Sequence, residues 1–362
     1  MQRSIYVRPL GIYPSQIGED PQEVWGGLPL AGGPLAFSAL EVLERSPRGT
    51  MRRTIGLGEL FERDWGRSTL DAADLVEAIR GPRARLAGLS LDRPRLMGIV
   101  NVTPDSFSDG GRHNSTEAAV AHGLSLAEEG ADILDVGGES TRPGSDTVSL
   151  DDELRRVIPV IEGLRAKTDK LISIDTRKSE VMRRAADAGA DILNDVSALT
   201  HDPAALDVAA ESGLPVMLMH AQGDPKTMND DPQYSDVVLD VFDFLEQRIR
   251  ACIAAGIPKS RLIADPGIGF GKHLHHNVAV LAAMSLYHGL GVPVLLGASR
   301  KKLIGQISNV EDPRRRVPGS IAAALHSISQ GVQLVRVHDV ADTRQAVDVW
   351  EAAQAGSEAR LA

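Results

Sequence analysis

The sequence has little cysteine and no long apolar run. Its 362 residues contain a single cysteine, Cys252, so an intramolecular disulfide is excluded and a reducing, cytoplasmic location is expected. No apolar stretch approaches the ~18 residues that indicate a membrane span. The opening MQRSIYVRPLGIYP is interrupted by proline and charge, whereas a secretory signal needs a continuous apolar core. We therefore expect a cytoplasmic protein without a membrane partner.

An excess of basic residues is also absent. The chain has 39 lysines and arginines against 49 aspartates and glutamates, which gives a formal net charge of -10. Nucleic-acid binding depends on a broad basic surface that displaces counterions from the phosphates. We therefore expect no nucleic-acid partner, and we expect any anion site on this protein to be local.

The amino-terminal part of the chain carries no chemical motif. We predict an extension of unknown role over residues 1–84, either small α+β or partly irregular, with helix-like stretches at Leu35–Arg45 and Leu70–Arg80. The segment Arg85–Leu96 has the alternation and turn residues of a hairpin. At the other end, residues 353–362 are predicted to form a frayed tail.

Between residues 85 and 352, short apolar runs alternate with helical patterns. The runs are Leu96–Asn101, Ile133–Gly137, Leu171–Asp175, Ile192–Asp195, Pro215–His220, Leu262–Asp265, Pro293–Gly297 and Leu334–His338. Strands that alternate with helices predict a parallel sheet. Eight such units match the ~250 residues of a closed (β/α)8 TIM barrel better than an open doubly wound sheet. The predicted fold class is therefore α/β.

Polar residues occur where each predicted strand ends, which is the face of a barrel where sites are built. They are Asn101, Asp135, Glu139, Ser140, Thr141, Arg142, Asp175, Asn194, Asp195, His220, Asp265, Ser299, Arg300, Lys301, Arg336 and His338. One polar strand end is ordinary, since turns and helix caps also use such residues. Their recurrence at all eight strands indicates a functional site.

These residues divide by chemistry. The cations Arg142, Arg336 and His338 favour a phosphate or pyrophosphate, because guanidinium groups donate forked hydrogen bonds to such oxygens. Asn101 offers a hard oxygen ligand for Mg²⁺, with Asp105 and Asp109 in the loop that follows.

A second group of strand-end residues is suited to a flat ligand. Asp175, Asn194 and Asp265 accept and donate hydrogen bonds, as a heterocycle with an amidine-like edge requires. Hydrogen bonds to such a ring would offset the cost of burying these polar groups.

Two further groups invite other interpretations. His273, His275 and His276 suggest zinc, but no acid or cysteine stands at ligand spacing beside them. Lys301 could form a Schiff base, as in a barrel aldolase, although its neighbour Arg300 equally favours a basic anchoring segment.

Together the motifs of this chain resemble the dihydropteroate synthases. They are MGIVNVTPDSFSDGG from Met97, DVGGESTRPG from Asp135, SIDT from Ser173, NDV from Asn194, LMH from Leu218, ADPGIGFGK from Ala264, GASRK from Gly297 and VRVHDV from Val335. The resemblance runs from about Arg85 to about Glu351 and leaves out the first 84 residues, which the usual short form of the family lacks.

The resemblance implies a transferase of folate biosynthesis in a pterin-binding barrel. Such an enzyme condenses 6-hydroxymethyl-7,8-dihydropterin diphosphate with p-aminobenzoate to give 7,8-dihydropteroate and diphosphate. It also implies Mg²⁺ as cofactor, a homodimer, and inhibition by sulfonamides.

The same resemblance assigns site residues. Asp175, Asn194, Met219, Asp265 and Lys301 would hold the pterin, with Asp135 among the substrate-binding residues. Asn101 would bind Mg²⁺ and diphosphate with Asp109 nearby, and Arg142, Arg336 and His338 would grip the diphosphate. Phe107, Thr141, Arg142, Pro143, Phe270 and Ser299 would frame the p-aminobenzoate pocket.

Two other functions fit part of this pattern. A pterin-binding homologue without catalysis should have lost part of the set Asn101, Asp109, Arg142 and His338, which this chain keeps. A barrel methyltransferase that uses a methylated folate needs a pterin pocket but no diphosphate grip, so Arg142, Arg336 and His338 weigh against it.

Overall fold

The computed structural model describes residues 4–15, 27–62, 69–102, 112–140, 147–223, 227–228 and 230–356. Across these residues the strands are β1 Ile5–Pro14, β2 Leu28–Pro29, β3 Leu35–Ser46, β4 Gly49–Gly56, β5 Arg95–Asn101, β6 Ile133–Gly137, β7 Leu171–Asp175, β8 Ile192–Asp195, β9 Val216–Met219, β10 Leu262–Asp265, β11 Leu295–Leu296 and β12 Leu334–Val337. The helices are α1 Leu57–Glu62, α2 Thr69–Arg80, α3 Arg112–Glu128, α4 Leu150–Arg165, α5 Ser179–Asp187, α6 Ala205–Ser212, α7 Val237–Ala254, α8 Leu274–Ala282, α9 Lys302–Ser308, α10 Val317–Ile328 and α11 Val340–Ala355.

Strands β1 to β4 form an antiparallel sheet in which β3 pairs with β1 on one edge and with β2 and β4 on the other. The predicted helix at Leu35–Arg45 is therefore wrong, because this segment lies in β3. Its Leu, Ala and Glu residues favour helix only weakly, and pairing on both edges outweighs that preference. Leu40 and Val42, two residues apart, are both buried, as the strand period requires. The other predicted helix is confirmed as α2.

A tight turn leads into the barrel. Leu86 and Leu89 exchange two backbone hydrogen bonds of 2.9 and 2.8 Å, so the predicted hairpin is confined to these four residues. Leu86 and Leu91 are buried against one end of the barrel interior. They pack there with a layer of inward side chains from the strands: Met97, Ile133, Ile192, Met217, Ile263, Leu295 and Leu334. The turn therefore closes the amino-terminal end of the barrel with apolar surface.

Strands β5 to β12 form the predicted (β/α)8 barrel. Neighbours in the sheet run β10-β9-β8-β7-β6-β5-β12-β11 and pair in parallel. A parallel bridge between Ala264 and Val294 joins the two ends of this order. Four of the predicted runs match β6, β7, β8 and β10 to the residue, and the others overlap their strands.

The alternation of side chains along each strand positions the site. Residues two apart share a face, and two positions after the apolar layer four strands carry a polar residue: Asp135, Asn194, Asp265 and Arg336. On β6, Ile133 is followed by Asp135, and on β12, Leu334 is followed by Arg336. The barrel is therefore apolar at its amino-terminal end and polar at its carboxyl-terminal end.

The amino-terminal sheet shares one continuous apolar core with the helices around the barrel. Tyr6 packs edge-on against Phe242 of α7 with ring centroids 5.5 Å apart, and its hydroxyl donates to Asp243 Oδ1 at 2.7 Å. Arg45 pairs with Asp240 at 2.7 Å and with Asp243 at 2.9 Å. Strands β1 and β3 of the extension are thus packed on α7 through Tyr6 and Arg45, and the domain boundary at residue 84 stays a prediction.

Two smaller expectations concern helices. Helix α11 ends at Ala355, inside the segment 353–362 that the sequence predicts as a tail. Within the described ranges, no helix combines the length and apolar character that crossing a bilayer requires.

Candidate functional site

A buried ionic cluster occupies the middle of the barrel. Arg336 on β12 donates from Nε to Asp135 Oδ2 at 2.6 Å and from Nη2 to Asp175 Oδ2 at 2.9 Å. Asn194 on β8 donates from Nδ2 to both Asp135 oxygens at 3.3 and 3.4 Å. Asp135 is fully buried and both of its oxygens are used in this way. The geometry therefore suits Asp135 to orient Arg336 and Asn194. This role is additional to the substrate contact that the sequence predicts for Asp135.

Asp175 differs from Asp135 because one of its oxygens is unused. Its Oδ1 is buried and has no hydrogen-bond partner among the described residues. Burial raises the pKa of Asp175 to about 7, and the charge of Asp135 adds to this effect while Arg336 opposes it. An unpartnered buried acceptor costs free energy that a ligand donor would recover. Asp175 is thus placed to accept a hydrogen bond from a bound molecule.

Asp265 and Lys301 both lie close to Gly297. A Cβ at Gly297 would lie 3.7 Å from Asp265 Oδ2 and 3.8 Å from Lys301 Nζ, so any side chain at this position would contact both charged groups. Lys301 Nζ donates to the carbonyl of Ile268 and lies 4.5 Å from the centroid of the Phe270 ring. Burial lowers the pKa of Lys301 to about 8, although Asp265 opposes the shift. Burial also raises the pKa of Asp265.

The loops after β11 and β12 are joined by hydrogen bonds. Ser299 Oγ accepts from the backbone N–H of His338 at 3.2 Å and lies 3.0 Å from its Nδ1. Arg300, in the left-handed region with φ 58°, donates from Nε to Asp339 Oδ2 at 3.0 Å and from Nη2 to Oδ1. Asp339 was not predicted as a site residue, and its only signal in the sequence is its place directly after His338.

Asn101 and Met219 line the same end of the barrel. Asn101 is half-buried at the end of β5, and its side chain makes no hydrogen bond to another residue in the described part of the chain. Met219 is buried at the end of β9, and its Cγ lies 3.2 Å from the position of a Cβ on Gly267. The other predicted site residues, Asp105, Phe107, Asp109, Thr141, Arg142 and Pro143, lie outside the described residues.

The zinc interpretation of the three histidines finds no support. Among the described residues, no group of three or more His, Cys, Asp or Glu side chains is arranged to hold a metal ion. His273 and His276 instead form a capping box at the start of α8, in which His276 Nδ1 accepts from the His273 backbone N–H at 3.2 Å. The histidines satisfy helix-terminal N–H groups that would otherwise lack partners.

Comparison with known proteins gives one family. A family model described as pterin binding enzyme matches residues 97–338. Dihydropteroate synthase from Escherichia coli (strain K12) is 50% identical over 275 residues, which cover 76% of this chain and 97% of that relative.

Solved structures agree with that match. Xanthomonas albilineans dihydropteroate synthase with 4-aminobenzoic acid superposes with a TM-score of 0.71 at 57% identity and covers 76% of this chain and 98% of that one. Yersinia pestis dihydropteroate synthase with a sulfonamide drug complex gives a TM-score of 0.70 at 48% identity, covering 74% and 96%. Each of these relatives is therefore matched over almost its whole length.

Proposed function

This chain belongs to the pterin-binding enzymes and, among them, to the dihydropteroate synthase family, and we propose that the barrel residues described above divide its two substrates between them. The chain is a transferase of folate biosynthesis that joins 6-hydroxymethyl-7,8-dihydropterin diphosphate to p-aminobenzoate and releases diphosphate. The observation that carries the residue assignment is the unpartnered, buried Oδ1 of Asp175 at the centre of the polar layer.

The pterin ring is assigned to the polar layer around Gly297. Asp175 and Asp265 accept hydrogen bonds from the amidine-like edge of the ring, while Asn194 both donates and accepts. Lys301, whose Nζ lies over the Phe270 ring, donates a hydrogen bond to the pterin. Met219 supplies an apolar contact. Because these groups already lie in fixed, mostly buried positions, the ring is oriented without much rearrangement of the protein.

Diphosphate and p-aminobenzoate are assigned to the rim. Arg142, Arg336 and His338 stabilise the charge that develops on diphosphate as the C–O bond to the pterin methylene breaks. The amine of p-aminobenzoate then attacks that methylene, a C–N bond forms, and the amine loses a proton. Phe270 and Ser299 border the second substrate, together with Phe107, Thr141 and Pro143.

Magnesium is a proposed cofactor, and the donor set fits it. Asn101 offers a hard amide oxygen that no described side chain occupies, at the end of the barrel that the diphosphate must reach. Bound Mg²⁺ would supply positive charge to the leaving diphosphate. Asp109 is the neighbouring acid that the resemblance adds.

An assay of diphosphate release tests the proposed function most directly. We expect release from 6-hydroxymethyl-7,8-dihydropterin diphosphate that depends on p-aminobenzoate and on Mg²⁺. Well-folded protein that binds the pterin but releases no diphosphate would instead be the inactive homologue. Methyl transfer from a methylated folate in place of this reaction would identify a methyltransferase.

Substitution of Asn101 by alanine separates the metal from the pterin. The Mg²⁺ concentration for half-maximal rate should rise by about tenfold or more, because one oxygen ligand is lost. The matched control is Asn194→Ala, which should raise the KM for the pterin and leave the Mg²⁺ dependence unchanged. An unchanged Mg²⁺ requirement in the Asn101 variant would remove Asn101 from the metal site.

Pterin binding should be strongest in a narrow pH window. Below a pH of about 7, Asp175 takes up a proton and loses its capacity as a charged acceptor, and above about 8, Lys301 loses its charge. We therefore expect kcat/KM for the pterin to fall on both sides of this window. Asp175→Asn should flatten the acid limb and keep the alkaline one. An acid limb that persists in this variant would belong to another group.

The remaining proposals concern inhibition, location and assembly. We expect sulfonamides to compete with p-aminobenzoate, and the structure of the Yersinia pestis relative with a sulfonamide drug supports sulfonamide binding. The free, buried Cys252 is consistent with a cytoplasmic location. A homodimer is expected from the family resemblance, and light scattering of the purified protein tests it.

A further inference from the structure

Lys272 is buried below the site and makes three hydrogen-bonding contacts. Its Nζ donates to the carbonyls of Gly267 at 2.8 Å and Phe270 at 3.1 Å, and lies 2.8 Å from His220 Nδ1. The residue is only 4% exposed. Three acceptors around one nitrogen match the three N–H groups of an ammonium. His220 was predicted as a polar strand-end residue, whereas Lys272 had no predicted role.

The surroundings of Lys272 make its burial costly. No carboxylate among the described residues lies within ion-pair distance of its Nζ. Burial lowers the pKa of Lys272 well below its ordinary value, and the charge of Lys301 acts in the same direction while Asp265 opposes it. A buried cation without an ionic partner destabilises a protein unless its hydrogen bonds compensate. The cost of burying Lys272 indicates that its three hydrogen bonds have a role in this part of the protein.

The packing and the protonation state of His220 suit it to accept a hydrogen bond from Lys272. Its ring packs edge-on against Phe244 at 4.9 Å and lies 6.0 Å from Tyr234. Burial and the charge of Lys272 lower the pKa of His220, so the imidazole is neutral at physiological pH. With the proton on Nε2, Nδ1 accepts from the ammonium.

The segment that Lys272 holds is the one that contacts the pterin-site charges. Gly267 and Gly271 adopt φ of 68° and 61°, and a Cβ on them would lie 1.9 Å from the carbonyl oxygen of His220 and 2.3 Å from that of Gln222. The segment is thus seated directly on the backbone after β9. From it, Gly267 N–H donates to Asp265 Oδ1 at 2.8 Å, and the Ile268 carbonyl accepts from Lys301.

We propose that Lys272, seated on His220, is a positioning residue that holds segment 266–271 so that its backbone and Phe270 fix Asp265 and Lys301 for the pterin. This inference rests on the proposed assignment of Asp265 and Lys301 to the pterin site. Lys272 itself touches no reacting atom. Its effect is transmitted through two carbonyls that lie on either side of Ile268.

Matched variants separate positioning from general stability. Lys272→Met keeps the side-chain length and removes all three donors. His220→Phe keeps the ring packing and removes the acceptor, whereas His220→Asn keeps a polar atom close to the place of Nδ1. Lys167→Met at an exposed position and Ile161→Val in the core of α4 serve as controls for charge loss and for a modest loss of stability.

Two measurements are made on each full-length variant: calorimetric affinity for the pterin diphosphate and the pH profile of kcat/KM. For Lys272→Met we expect about tenfold weaker binding, because a loosened segment no longer orients two charged contacts. The alkaline limb should also move upward, since Lys301 becomes better hydrated. His220→Phe should follow Lys272→Met, and His220→Asn should stay close to the wild type.

The outcomes are distinct. Unchanged pterin affinity and an unchanged alkaline limb in Lys272→Met, with a lower melting temperature, would overturn the inference and leave Lys272 with a purely structural role. If that variant does not fold, equal behaviour of His220→Phe and His220→Asn overturns it in the same way. Wild-type protein that does not bind the pterin diphosphate contradicts the proposed function instead.

Discussion

Replacing Lys301 by methionine is expected to lower kcat/KM for the pterin diphosphate by about 100- to 1,000-fold, the usual effect of removing one preorganised donor from an active site. Lys301 is held by the Ile268 carbonyl and by the face of the Phe270 ring, so its ammonium occupies one position before the substrate arrives. Methionine fills similar volume and donates nothing. Steady-state rates of diphosphate release, with calorimetry of pterin binding, measure the loss.

Asp265→Asn is the companion variant, because Asp265 also lies beside Gly297. It keeps the shape of the side chain and removes the charge that Lys301 faces. Because the two groups share one ligand and one electrostatic environment, the double variant should lose less than the sum of the two single losses. Additive losses would indicate that the two residues act independently.

The control for this pair is Lys302→Met. Lys302 is the next residue along the chain and is exposed, so loss of its charge should leave pterin affinity within about a factor of two. Unchanged pterin affinity in Lys301→Met and Asp265→Asn would show that the ring binds elsewhere. If Lys302→Met lost as much pterin affinity as Lys301→Met, the effect would come from positive charge in general.

The barrel was readable from sequence because each of its strands is a short buried run. Such runs carry their own signal, and β6, β7, β8 and β10 were predicted to the residue. The inward direction of Asp135, Asn194 and Arg336 then follows from the strand period, since each stands two residues after an apolar residue of the closing layer. Local pattern therefore suffices for the fold and for the position of the polar layer.

The pairings within the site were not readable in the same way. Arg336 and Asp135 are 201 residues apart in the chain, and their contact exists only because β12 closes on β5. The same holds for Lys272 and His220, which are 52 residues apart. Strand β3 was missed because its conformation depends on β1 and β4, whose pairing a local window does not register. Contacts between distant segments thus account for what the sequence pattern left out.

A chain that starts at Arg85 is expected to lose its fold, although the catalytic barrel lies wholly beyond that residue. From the sequence alone, a protein that starts near Arg85 is predicted to keep measurable activity unless residues 1–84 complete the core or a dimer. In the structure, the described residues of this extension share one apolar cluster with the helices around the barrel. Truncation would uncover the face of Phe242 that Tyr6 covers, and the surface of Gly289, where Leu75 Cδ2 lies 3.1 Å from the position of a Cβ.

Unfolding is expected because the free energy lost by exposing these apolar side chains is a large part of the total free energy of unfolding. Each large apolar side chain returned to water costs about 1.5–3 kcal/mol, and a domain has only about 5–15 kcal/mol in total. Asp240 and Asp243 would also lose their Arg45 partner. We expect the truncated chain to be insoluble or to melt far below the full-length protein by circular dichroism.

Two controls decide whether the extension acts through these contacts. Tyr6→Phe keeps the ring and removes the hydroxyl that donates to Asp243, which should cost about 0.5–1.5 kcal/mol, so the full-length variant should stay folded and active. Residues 1–84 supplied as a separate chain during expression should restore soluble, active barrel, because the contacts between the two parts are noncovalent. The prediction is contradicted if the truncated barrel is soluble alone, melts at the same temperature as the full-length protein and releases diphosphate at the same rate. The sheet would then add no stability to the catalytic barrel.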